Sequence, residues 1–216
     1  VYLANNSKGE IDGATFTDNT VANSASAKGA YGGSLYVNTG CSMSITNTIF
    51  QRTEEITDRM AYLGGAIGVN AASLTIGENV SFVGCHAYDA GAVYVKDSQV
   101  QIKGATFNSN KADNRGGAIR AFASSKTAEK GISSELMIND SYFSGNIALD
   151  GGALANDANA SMMYVNNCQF TGNQADQYGG AFRGETHTYS GAFFNNCKFY
   201  NNKTYNQTST STNGVA

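Results

Sequence analysis

The chain has 216 residues, with no Pro, no Trp, 25 Gly and 24 Asn. Gly and Asn are poor helix formers and good turn formers, which excludes an ordinary helical domain, while 41% hydrophobic and 11% aromatic residues exclude a disordered segment. A formal net charge of -3 with only 14% of residues charged leaves no basic stripe for nucleic acid, and no run of 18 apolar residues predicts a membrane span. No charged segment followed by an apolar one opens the chain, and a start at Val1 rather than Met suggests a mature form or an excised piece.

Three units recur in chain order. The first is a Gly pair followed by a small and an aliphatic or aromatic residue: Gly32-Gly33-Ser34-Leu35, Gly64-Gly65-Ala66-Ile67, Ala90-Gly91-Ala92-Val93, Gly116-Gly117-Ala118-Ile119, Gly151-Gly152-Ala153-Leu154 and Gly179-Gly180-Ala181-Phe182. The second is an alternating segment of the Met43-Ser44-Ile45 or Leu74-Thr75-Ile76 kind, with the period of two expected of a half-buried strand. The third is Phe-x-x-Asn or a variant, beginning at Phe16, Phe50, Phe82, Phe107, Phe143, Phe170 and Phe199, 25 to 36 residues apart. Three positions before each Phe stands Gly13, Asn47, Asn79, Gly104, Asp140, Asn167 or Asn196, all residues that tolerate a left-handed turn.

Short strands, tight turns and the absence of two-residue hairpins predict a coil whose strands pair in parallel with their equivalents one repeat later, about 4.8 Å away. The expected fold is all-β: a parallel β-helix of about seven three-strand coils, right-handed by the general chirality of parallel connections. It spans residues 1–202 as one domain, and 203–216 reads as a Ser/Thr-rich flexible tail or linker. Register places Leu35/Val37, Ile67/Val69, Val93/Val95 and Ile119/Ala121 inward beside a Phe column. The Asn of Phe-x-x-Asn predicts an amide ladder, interrupted by Thr53 and Cys85.

These interleaved Gly-Gly-Ala-aliphatic and Phe-x-x-Asn motifs resemble the polymorphic outer-membrane protein repeat family, known from chlamydial autotransporter passengers, over roughly Phe16 to Asn202. The resemblance implies an exported adhesive or structural surface protein, located extracellularly or at the cell surface. Residues 1–216 depart from the pattern of a full autotransporter in that no C-terminal membrane barrel is expected within them.

An enzyme reading requires clustered carboxylates, as acid and base or as Ca²⁺ ligands. Asp89, Asp113, Asp150 and Asp176 follow the Phe on four successive repeats, and with Arg115 beside them they are candidates for an acidic column able to share calcium. The bland alternative is that Asp favours a turn before Gly. His86 and His187, the only histidines, have no partner at ligand spacing, and no other cofactor or metal is expected. Cys168 and Cys197 occupy equivalent positions two before a Phe, so they are either a disulfide or two buried thiols; Cys41 and Cys85 fall at other phases.

Polar excursions at 53–62 and 122–135 and outward Tyr36 and Tyr94 are candidate contact surfaces. Sequons begin at Asn5, Asn79, Asn139, Asn159, Asn202 and Asn206 and are candidates for N-glycosylation. With no amphipathic capping helix in the sequence, open end coils suggest end-to-end self-association. The sequence therefore points to a non-enzymatic surface β-helix in adhesion, or to a self-assembling subunit of a layer or fibre. Its expected partner is a host or neighbouring-cell surface protein or glycan. The alternative is a polysaccharide lyase or hydrolase using the acidic column.

Overall fold

The computed structural model of the chain describes residues 1–21, 29–53, 59–124, 134–157, 161–185 and 190–205. Among these there is no helix, and so none long and apolar enough to cross a membrane. The chain winds as a parallel β-solenoid with four sheets, three of seven strands and one of six.

The first sheet follows the Gly unit and runs through Tyr2–Leu3, Leu35–Val37, Ile67–Asn70, Val93–Lys96, Ile119–Phe122, Leu154–Asp157 and Phe182–Gly184. The second holds the alternating segments Lys8–Asp12, Ser42–Thr46, Ser73–Ile76, Gln99–Lys103, Ser134–Asn139, Ser161–Asn166 and Gly191–Asn195. The third carries the Phe residues on Thr15–Thr17, Ile49–Gln51, Ser81–Val83, Thr106–Asn108, Tyr142–Ser144, Gln169–Thr171 and Lys198–Tyr200. A fourth sheet corrects the three-strand expectation: Ala61–Leu63, His86–Asp89, Lys111–Ala112, Ile147–Asp150, Gln174–Tyr178 and Lys203–Thr204. Its strands are short, and the element they share is a single buried Ala, the column Ala61, Ala87, Ala112, Ala148 and Ala175, too little for a period-two signal. Because Lys203–Thr204 pairs with Gln174–Ala175, the coil continues past residue 202, and residues 206–216 of the expected tail lie outside the described residues.

The corners explain the composition. All seven residues three before a Phe take φ between 50° and 68°. In each Gly unit the two glycines do different work. Gly64 turns the chain at φ +68°, whereas a Cβ on Gly65 would stand 2.1 Å from the carbonyl oxygen of Gly91. The unit beginning at Ala90 makes the same turn with a residue that has a Cβ, at φ 57°.

Phe50, Phe82, Phe107, Phe143 and Phe170 are fully buried, and the column from Phe16 to Phe199 stacks at 4.7–5.0 Å between ring centroids with planes within 8°. That spacing is the strand spacing, so one residue per coil fills this side of the core without gaps. The predicted inward pairs Leu35/Val37, Ile67/Val69, Val93/Val95 and Ile119/Ala121 are all buried.

The amide ladder forms on Asn110, Asn146, Asn173 and Asn202. The Nδ2 of Asn110, Asn146 and Asn173 each donates to the next Oδ1 at 2.8–2.9 Å, and the main-chain N–H of the same three donates to the same oxygen at 3.0 Å. The second Nδ2 hydrogen goes back to a Phe carbonyl, as from Asn146 to Phe107 at 3.0 Å. Asn146 and Asn173 thus satisfy both amide hydrogens and both acceptor sites in a fully buried position, where an unpaired amide would be costly. Cys85 ends the ladder: its N–H donates to Asn110 Oδ1, but it has no amide to offer.

Replacing Cys85 by Asn extends the ladder by one rung and is expected to raise unfolding stability by about 1 kcal/mol, whereas Asn146→Ala removes four buried hydrogen bonds and costs about 3 kcal/mol. Denaturant titration of the two variants checks both signs.

Candidate functional site

The outward side of the first sheet carries one column of Tyr2, Tyr36, Gly68, Tyr94, Arg120, Ala155 and Arg183. Tyr31 lies across Gly68, where a Cβ would come within 2.7 Å of the Tyr31 Cβ. Tyr2, Tyr36 and Tyr31 stack at 5.4 and 4.8 Å, and Tyr31 tilts against Tyr94 at 6.0 Å. Tyr94 is 4% exposed, and burial pushes its hydroxyl upward. The guanidinium of Arg120 caps it at 5.9 Å and also lies 5.5 Å from the Phe122 ring. Tyr36 and Tyr94 are therefore not open platforms: one is stacked on by its neighbours and the other is covered.

Beyond Tyr94 the column turns ionic. Arg120 pairs with Asp89 at 2.5 Å and with Asp157 at 2.7 Å. Arg183 pairs with Asp157 at 2.5 Å, with Glu185, and with Asp150 at 3.5 Å. Arg115 stands 3.3 Å from both Asp157 and Glu185 and 3.8 Å from Asp150. Three arginines thus hold four carboxylates around Asp157, whose side chain is 2% exposed. Burial raises Asp89 and Asp150 above the usual carboxylate value, against the opposing pull of Arg120 on the first and of Arg183 and Arg115 on the second. Among the described residues Asp150 Oδ1 and Arg115 Nε are buried without a hydrogen-bond partner.

The structure divides the four acids read from the sequence. Asp89 and Asp150 stand immediately before their Gly units and enter the arginine network, whereas Asp113 and Asp176 stand three residues before theirs. Those extra residues put them on another line of the solenoid, and the pairing shifts register between Ala148 and Asp150. Asp113 receives Arg59 through its Nε and lies 2.9 Å from His86 Nε2; Asp176 is exposed. Among the described residues no group of three or more His, Cys, Asp and Glu is placed to hold a metal ion.

His86 thus has a partner the sequence did not reveal, and Arg59 above it also covers Tyr88 at 5.2 Å, on a ring stacked with Tyr62 at 4.8 Å. Asp113 sits below the usual carboxylate range: burial would raise it, but the hydrogen bonds from His86 and Arg59 prevail. His187 lies outside the described residues.

All four cysteines are free thiols. Cys168 and Cys197 are rung neighbours that point the same way. The Cys168 Sγ lies 3.2 Å from the Asn166 carbonyl oxygen and the Cys197 Sγ 3.4 Å from that of Asn195. Burial raises the Cys168 thiol to about 12. Among the sequons, Asn5 and Asn79 are exposed and Asn139 is half-buried. Asn202 spends its Nδ2 on the Phe170 carbonyl in the ladder, and Asn159 and Asn206 lie outside the described residues.

The arginine network is the feature the sequence analysis missed. Its signal was available, since Arg120 and Arg183 follow their Gly units at the same outward position as Tyr36 and Tyr94. Two outcomes are expected. Asp157→Ala leaves buried arginines unpaired and lowers stability by about 3–5 kcal/mol in chemical denaturation. His86 is lowered from 6.5 by burial despite Asp113, so the unfolded chain takes up its proton first and stability falls as pH drops below 6.5. Thermal melts at pH about 7.5 and about 5.5 should show this loss, and His86→Gln should remove that part of it.

No curated protein and no solved structure matches this chain. Residues 104–121, which carry Phe107 through Asn110 and the Gly116-Gly117-Ala118-Ile119 unit, match the family model of the Chlamydia polymorphic membrane protein (Chlamydia_PMP) repeat.

Proposed function

We propose that this chain is a non-enzymatic extracellular β-solenoid that works at a cell surface, in adhesion or as a structural subunit that assembles through its end coils. The observation that carries this reading is the fate of the acids. Asp89, Asp113 and Asp150 are each engaged by arginine or histidine, so their charges act within the fold rather than on a substrate. On the outward side of the second sheet one column runs through Ser44, Thr75, Gln101, Met137 and Tyr164, uncharged side chains suited to contacting protein or glycan. The repeat match at 104–121 points the same way, toward a family of surface proteins.

The last coil adds a contact surface for self-association: Phe193, Phe199, Tyr200 and Tyr205 are 47–57% exposed, and Phe199 ends the core column among the described residues.

Purified chain is expected to bind intact cells saturably and to leave polysaccharides uncut. The Asp113→Asn, Asp176→Asn double variant should behave identically. Polysaccharide cleavage that this variant loses would overturn the reading in favour of a lyase or hydrolase. Sedimentation at rising concentration separates the two non-enzymatic roles: self-association that Phe199→Ser and Tyr200→Ser abolish supports the subunit, and a persistent monomer supports the adhesin.

A further inference from the structure

The outward face of the second sheet carries a groove that the ionic corner does not touch. It has a volume of about 130 Å³ and runs along the solenoid axis between two columns, Ser73, Gln99 and Glu135 on one side and Thr75, Gln101 and Met137 on the other. Leu74 and Val100 point inward beneath it, so its floor is main chain. Ser73, Thr75, Gln99 and Gln101 are exposed.

Resting on the adhesion reading above, we propose that this groove binds a linear, neutral, hydroxyl-rich glycan laid along the solenoid axis. Three observations carry it. First, two successive coils, about 4.8 Å apart, each present a pair of neutral hydrogen-bonding groups, the hydroxyls of Ser73 and Thr75 and then the amides of Gln99 and Gln101, an interval close to the length of one pyranose residue in an extended chain, so neighbouring sugars each meet donors and acceptors. Second, the four exposed side chains are uncharged and the one ionisable lining group is Glu135, which favours a neutral polymer and disfavours a polyanion. Third, the floor strands Ser73–Ile76 and Gln99–Lys103 are paired on both sides, so a peptide finds no free strand edge to extend and must be read by side chains alone. Met137 supplies an apolar wall for sugar C–H groups. The column continues past it to Tyr164 and Phe193, which stack at 5.4 Å and extend that wall.

Calorimetry of the purified chain with cellohexaose and chitohexaose, both linear neutral β-linked oligomers, tests the proposal, with polygalacturonate as the charged control. The expected result is saturable binding of at least one neutral oligomer, no binding of the polyanion, and at least tenfold weaker binding by the Gln99→Ala, Gln101→Ala variant at unchanged melting temperature. Failure of both neutral oligomers to bind, equal affinity in the variant, or preference for polygalacturonate overturns it. The variant's cell binding separates the two readings: if the groove proposal fails while the variant still binds cells, adhesion stands and proceeds through another face.

Discussion

Parallel, in-register stacking at one-coil intervals is the constraint on which the rest of this molecule depends. Each side chain has as its axial neighbours the equivalent residues of the preceding and following repeats, so whatever stands at a position must tolerate copies of itself about 4.8 Å away. Phe tolerates this by offset stacking, and Asn by having two donors and two acceptor sites that match its own copy. The buried columns of Phe and Asn are the direct result.

Charge does not tolerate it, since like charges directly opposite one another repel. The ionic corner is the structural answer. Arg120 and Arg183 are separated in their column by the small residue Ala155, and Asp157 in the neighbouring outward position receives both. Asp89 and Asp150 approach from the end of the fourth sheet to complete the pairing. Burying such charges is favourable only when every partner is present, so the network fixes how the first and fourth sheets meet more than it adds stability. On the second sheet's outer face the column Ser44, Thr75, Gln101 and Met137 is uncharged, and neutral groups repeat there without penalty.

Much of this was legible in the sequence, because the repeat writes its corners and core in residue types with few alternatives. The left-handed position before each Phe admits only Gly, Asn or Asp, and the ladder breaks at Cys85, where the amide is missing. The fourth sheet was not legible, since its strands share little beyond one inward Ala. A second left-handed corner after the Phe was also hidden: Asp18, Gly84, Ser109, Gly145, Gly172 and Asn201 look unrelated until their φ values, 52° to 65°, group them. The acidic column failed for a countable reason. Counted from the Phe, the four acids stand six or seven residues on and look equivalent, whereas counted back from the Gly unit Asp89 and Asp150 stand next to it and Asp113 and Asp176 three residues before it. Arg120 and Arg183 escaped notice because they stand after the Gly unit and Arg115 just before it, and the three converge only when the coil closes.

The account stands or falls on the ladder being a continuous, buried, stability-determining element. Residue-resolved amide hydrogen exchange measures this most directly, because the main-chain N–H groups of Cys85, Asn110, Asn146 and Asn173 donate to side-chain amide oxygens of the next coil. The account predicts that Asn110 and Asn146 exchange only through global unfolding, as slowly as the most protected strand amides. Exchange of these amides at the rate of exposed turn residues would contradict it.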